Sequence, residues 1–87
     1  MFKKLRGVKL PEEKQGLIFY ICANYADMDF GVQKKIDQLC VKVGGGEYYA
    51  ALRDVMVGKK TIKEAAIECP CDETTLRRKR REFYMAW

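Results

Sequence analysis

The stretch from Thr61 to Arg81, TIKEAAIECPCDETTLRRKRR, limits what this chain can fold into more than any other. It opens with Thr61-Ile62-Lys63-Glu64, where a threonine can cap a helix and a glutamate three residues later can reach back to the threonine amide. Pro70 forbids continuation of that helix and steers Cys69 away from helical geometry. Asp72 is placed to cap the next helix, which carries five consecutive cations, Arg77, Arg78, Lys79, Arg80 and Arg81. The pattern predicts two short helices, about 61–68 and about 72–85, separated by a turn of three or four residues. Core packing does not account for a helix that is basic nearly all round. Like charges one turn apart repel, and phosphates would relieve that repulsion.

Eighty-seven residues make one domain, or one domain with a small helical extension. The apolar content of 48% argues against disorder throughout. A formal net charge of +5 favours acidic partners, nucleic acid before an anionic membrane surface. The best apolar run, residues 17–23, is far shorter than the ~20 residues of a membrane span. The first cations are followed by Pro11-Glu12-Glu13, not by an apolar signal core, so a cytoplasmic location is expected. In that compartment Cys22, Cys40, Cys69 and Cys71 are expected as reduced thiols.

Residues 1–9 read as a basic arm without periodicity. Pro11, Glu12 and Glu13 suit a helix start, and Lys14, Leu17, Ile18, Ile21, Cys22 and Tyr25 then recur at helical spacing, predicting a helix over about 11–26. Asp29 is placed to cap a second helix with the stripe Val32, Ile36, Leu39, Cys40 and Val43. Gly44-Gly45-Gly46 predicts its end in a hinge or reversal. A third helix follows from near Glu47, with Tyr48, Ala51, Leu52, Val55 and Met56 as its stripe and Gly58 at its close. In the last helix Leu76, Phe83 and Trp87 are expected to face the core. The fold class is therefore all-α, about five helices, with a helical hairpin over 10–43 for packing or dimerisation and a C-terminal three-helix unit over 47–87.

The two helices around Pro70 meet the demands of a helix-turn-helix. Ala65 and Ala66 are small where a second helix would cross, the turn has its break, Asp72 is a cap, and Leu76 is an apolar anchor ten residues after Ala66. Pro70 stands where glycine is usual, and Lys79 where an aliphatic residue is frequent. The window resembles region four of sigma factors. It is similar, more closely, to the small regulators of Gram-positive phages and mobile elements of the ArpU and RinA type, whose recognition helix compares with Thr74-Thr75-Leu76-Arg77-Arg78-Lys79-Arg80-Arg81-Glu82-Phe83. The resemblance covers about residues 47–85. It implies a role in transcription regulation in a bacterial prophage or integrative element.

Under this reading the partner is double-stranded DNA. Glu73, Thr74, Arg77 and Arg78, in the first turns of the helix, are the candidates near base edges. Lys60, Thr61, Lys63, Arg80 and Arg81 are the candidates for phosphates, which fix position without reading sequence. Lys3, Lys4, Arg6 and Lys9 form either an arm for a minor groove or a solvated terminal tail. RNA polymerase and a second copy of the chain are further expected partners, and no membrane is. A basic helical module that binds an acidic partner, such as RNA polymerase or a host factor, is the rival reading. RNA ranks lower because no aromatic platform alternates with the cations. No histidine is present, and Cys69-Pro70-Cys71 has the wrong spacing for a zinc half-site, so neither metal nor cofactor is expected. The adjacent acids Glu12-Glu13 and Asp72-Glu73 are better first-turn dipole partners than catalytic pairs, and Gly44 to Gly46 lacks the lysine of a phosphate-binding loop. The chain is not expected to be an enzyme.

Overall fold

The computed structural model describes residues 4–69 and 71–87. Among these residues there are four α-helices and no strand: α1 (Glu12–Ala23), α2 (Phe30–Met56), α3 (Ile62–Glu68) and α4 (Glu73–Ala86), with one turn of 3-10 helix at Tyr25–Asp27 between the first two. The all-helical class is as expected, and the count of five is not. The second and third expected helices are the two arms of α2, which reverses at the non-helical Gly45 inside the glycine run, as the glycines predict.

The bend follows from one residue. Gly45 has φ +67° and ψ −175°, a region that residues with a Cβ do not enter without strain. Gly44, before it, lies so close to the returning chain that a Cβ there would sit 2.9 Å from both the amide nitrogen and the Cα of Tyr49. In a straight helix Asp37 and Arg53, sixteen residues apart, would be separated by ~24 Å. Instead Arg53 Nε donates to Asp37 Oδ1 at 2.9 Å. Arg53 Nη2 donates to the Tyr25 hydroxyl at 3.0 Å, and that hydroxyl donates to Asp37 Oδ2 at 2.9 Å. The guanidinium also lies 4.9 Å from the centre of the Tyr25 ring. The two arms of α2 are thus folded back on each other and tied at the turn that enters α2.

Helix ends follow the local sequence. Asp29 Oδ1 accepts from the Val32 amide at 3.0 Å and caps α2. The far end closes on Gly58, φ +77°, with the Gly58 amide donating to Val55 O at 3.2 Å and the Lys59 amide to Asp54 O at 2.9 Å. That is a Schellman closure, which needs a left-handed residue at this position. At α3 both halves of the capping box form: the Glu64 amide donates to Thr61 Oγ1 at 3.2 Å and the Thr61 amide to Glu64 Oε1 at 3.0 Å. Asp72 holds the cap position of α4, but its side chain accepts no capping hydrogen bond.

Two apolar clusters meet along α4. The larger joins Ile18 and Cys22 of α1, Ile36, Leu39, Cys40, Leu52 and Met56 of α2, and Phe83 and Tyr84 of α4. The smaller joins Ala51, Ile62, Ala65 and Leu76, where α2, α3 and α4 meet. The Phe83 and Tyr84 rings stand edge to face at 6.5 Å. Trp87 packs 6.0 Å from Phe83 and lies beneath Lys35 Nζ at 4.2 Å. α1 departs from its expected stripe. Leu17 is 57% exposed, while Gln15 is fully buried beside Ile18 and Cys22. A polar residue can hold a core position only if its hydrogen bonds are met there. Gln15 meets them from the segment that precedes the helix: Oε1 accepts from the Leu5 amide at 3.0 Å, and Nε2 donates to Leu10 O at 3.0 Å and to Val8 O at 3.5 Å.

Candidate nucleic-acid interface

α4 carries the run Arg77, Arg78, Lys79, Arg80 and Arg81 and also seats core residues, so helical geometry sorts its cations. Leu76, Phe83 and Tyr84 face inward and are buried. Thr74, Arg77, Arg78 and Arg81, at steps of three, one and three, share the opposite face. Thr74, Arg77 and Arg78 are exposed, and Arg81 is half-buried because its stem crosses the N-terminal segment. There a Cβ at Gly7 would lie 3.3 Å from Arg81 Cδ.

Acids do little to neutralise this face. Among the described residues Arg77 alone of the five cations makes an ion pair, to Glu73 Oε1 at 2.9 Å one turn earlier. Such an exposed pair is weak, so the guanidinium can exchange the carboxylate for a phosphate. Arg80 lies to one side, half-buried, and its Nε is buried with no hydrogen-bond partner among the described residues. Burial lowers the pKa of its guanidinium. Tyr84 acts in the other direction, and the like charges of Arg77 and Arg81 lower it further. An arginine held this way stays charged and carries unspent donors.

The other candidate residues separate by location. Thr61 is exposed, with its side chain committed to the capping box, and hydrogen bonding from Thr61 holds the Glu64 carboxyl below its usual pKa. Lys63 is exposed on α3. Lys60 is not a free cation: it bridges Glu68, its tighter partner, and Asp54 at 3.1 Å, and these carboxylates raise its pKa. It ties the end of α2 to the end of α3. Lys4, Arg6 and Lys9 are exposed, and Lys3 lies outside the described residues.

Ala65 is almost fully buried and shares the smaller cluster with Leu76, with Ala66 and both turn cysteines packed around it. Pro70 lies outside the described residues. Cys69 Sγ donates to Glu47 O at 3.8 Å, which ties the turn to the start of the second arm of α2. Burial, then a hydrogen bond with Cys69, pushes the Cys71 thiol up. Among the described residues no group of three or more cysteine, aspartate or glutamate side chains is close enough to hold a metal ion. No described helix is long and apolar enough to cross a membrane.

Sequence reasoning did not find Gln15 or the Tyr25–Asp37–Arg53 network. The only signal for Gln15 was its step of three and seven to Ile18 and Cys22, and its polarity masked that. Compared with family models, with curated proteins and with solved structures, the chain matches none.

Proposed function

We propose that the chain is a DNA-binding protein, in which the second arm of α2 with α3 and α4 acts as a trihelical helix-turn-helix unit and the outer face of α4 enters the major groove. The observation that carries this reading is the row Thr74, Arg77, Arg78 and Arg81 turned away from the core, with only one carboxylate among the described residues paired to it. Arg77 and Arg78 are the residues to reach base edges, together with Glu73 and Thr74 near the helix start. Arg80, Arg81 and Lys63 supply phosphate contacts. Thr61 and Lys60 support the site by holding α3 in place. Regulation of transcription in a prophage or mobile element is the role this surface suits, with RNA polymerase and a second copy as its protein partners.

The test is fluorescence anisotropy with a mixed-sequence duplex at two salt concentrations. Binding should weaken steeply with salt, by about 0.9 in log–log slope for each phosphate contacted. Arg77→Glu with Arg78→Glu should remove the binding and leave the helical circular dichroism unchanged. Duplex binding that survives this change would place the interface elsewhere.

A second reading, a protein-interaction module with the basic helix turned to an acidic partner, gains support for its protein-binding part from a different observation. Residues 15–26 contain no charged side chain, and Leu17 and Tyr20 are exposed on α1 at 57% and 62%. Charge depletion with exposed aromatic and aliphatic groups is the composition of a protein-interface core. Pulldown of a partner that survives the double charge reversal, without any duplex binding by the wild type, would select this reading.

A further inference from the structure

We propose that the segment 4–10 is a second nucleic-acid contact element, locked against the body by Gln15 so that Arg6 and its neighbouring lysines extend the basic face of α4 onto the phosphate backbone; this rests on the reading of α4 as the groove-binding helix. The segment alternates. Leu5, Val8 and Leu10 turn inward and pack on the larger core cluster, while Lys4, Arg6 and Lys9 are exposed. A flexible tail would show no such division. The lock is an amide, the side chain that can accept and donate at once. Gln15 takes the Leu5 N–H and supplies donors to the Val8 and Leu10 carbonyls, so one fully buried residue satisfies three backbone groups that span six residues.

The segment is also placed correctly. Gly7, φ +79°, makes the turn on which the Arg81 stem rests: a Cβ there would lie 3.3 Å from Arg81 Cδ, and the positive φ itself favours glycine. Arg6 is one ~3.8 Å chain step from that contact. None of Lys4, Arg6 and Lys9 has an ion-pair partner among the described residues, and the approach of Gly7 to the Arg81 stem brings their segment to the basic face of α4. A strongly charged duplex is the partner whose size and sign fit a surface continued over two elements. Because the segment is packed, its role is to hold phosphates beside the groove and not to thread a minor groove as a free arm. Gln15 is a positioning residue: it touches no ligand and acts through Arg6 and Lys4.

The experiment compares wild type, Arg6→Glu, Gln15→Leu, their double variant and Arg78→Glu on one mixed-sequence duplex by anisotropy across a salt series. Amide exchange at Leu5 is followed by NMR. Arg6→Glu should weaken binding about tenfold at 0.1 M salt and reduce the salt slope by about 1. Gln15→Leu should speed exchange of the Leu5 amide and weaken binding comparably. The double variant should lose little more than either single one, because the charge matters only while the segment is locked. Arg6→Glu binding as tightly as wild type while Arg78→Glu does not would overturn the proposal and leave the α4 reading standing. Absence of duplex binding by the wild type would overturn both. If Gln15→Leu fails to fold, the surface substitution Arg6→Glu decides alone.

Discussion

Three consecutive glycines should respond to the same substitution with different signs, and the reason is the bend in α2. Gly44→Ala places a Cβ 2.9 Å from backbone atoms of Tyr49, which cannot rotate aside as a side chain would. Overpacking of this kind costs about 1–3 kcal/mol. Gly45→Ala meets open space, but its φ of +67° with ψ of −175° is a conformation that costs a residue with a Cβ about 1–3 kcal/mol. Gly46→Ala meets open space at an ordinary φ, so only the benefit of a stiffer unfolded chain remains, about 0.4–1 kcal/mol of stabilisation. That same unfolded-state gain applies at the other two positions and reduces their net losses to about 0.5–2 kcal/mol.

Urea unfolding followed by circular dichroism separates these cases, with equal slopes required so that the midpoints compare directly. The order of stability should be Gly46→Ala, wild type, then Gly45→Ala and Gly44→Ala. In thermal melts a change of 1 kcal/mol should appear as a shift of about 4–8 °C for a chain of this size. If Gly46→Ala destabilises like the others, or if Gly45→Ala stabilises, the chain does not reverse at Gly45. The Asp37–Arg53 contact, which a straight helix forbids, would then need another explanation.

Leu76→Ala should cost about 2–5 kcal/mol in the same urea assay, because Leu76 is fully buried at the junction of α2, α3 and α4. Thr61→Ala should cost about 1 kcal/mol through the loss of the α3 cap, and Thr61→Ser should restore most of it. Stability should fall at alkaline pH. Burial pushes Cys22 and Cys40 from 9.0 up to about 12, and Tyr84 from 10.0 up to about 12. Each group is neutral when protonated, and its folded pKa is above its unfolded one. The stability it contributes is therefore fully present below pH 9 for the two cysteines and below pH 10 for Tyr84, and is lost as the pH rises towards 12. The urea midpoint should decline from about pH 9, and a midpoint that rises between pH 9 and 11 would contradict the burial of these groups.

Local chemistry was readable where one residue type has one use. Asp29, the Thr61–Glu64 box, Gly58 and the glycine run all marked helix ends or breaks, because caps and left-handed turns admit few residues. The inward positions Ile36, Leu39, Cys40, Leu52, Leu76 and Phe83 were also legible from spacing, since an apolar stripe has only one place to go. What escaped the sequence depends on partners distant in the chain. Gln15 looks like a surface residue until the Leu5 amide and the Val8 and Leu10 carbonyls come to it. Lys60 looks like a phosphate ligand until Asp54 and Glu68 are beside it. Helix count failed for a related reason. Gly45 breaks helical geometry in a single residue, so the hinge or reversal expected of the three glycines forms inside one element.

The cations of α4 are hard to explain by the fold that carries them. Arg77 and Arg78 each lie one turn from Arg81, Arg77 is also one turn from Arg80, and like charges at these spacings destabilise a helix. Arg80 adds a buried Nε with no partner among the described residues, a further cost of desolvation. A helix needed only to seat Leu76, Phe83 and Tyr84 would do better with glutamines or with acids alternating among the bases. Residues that break local rules without a compensating contact inside the molecule point to a contact outside it. Here the unmatched charge lies on the face turned away from the core and continues along the segment that Gln15 secures, where a polyanion would relieve the repulsion.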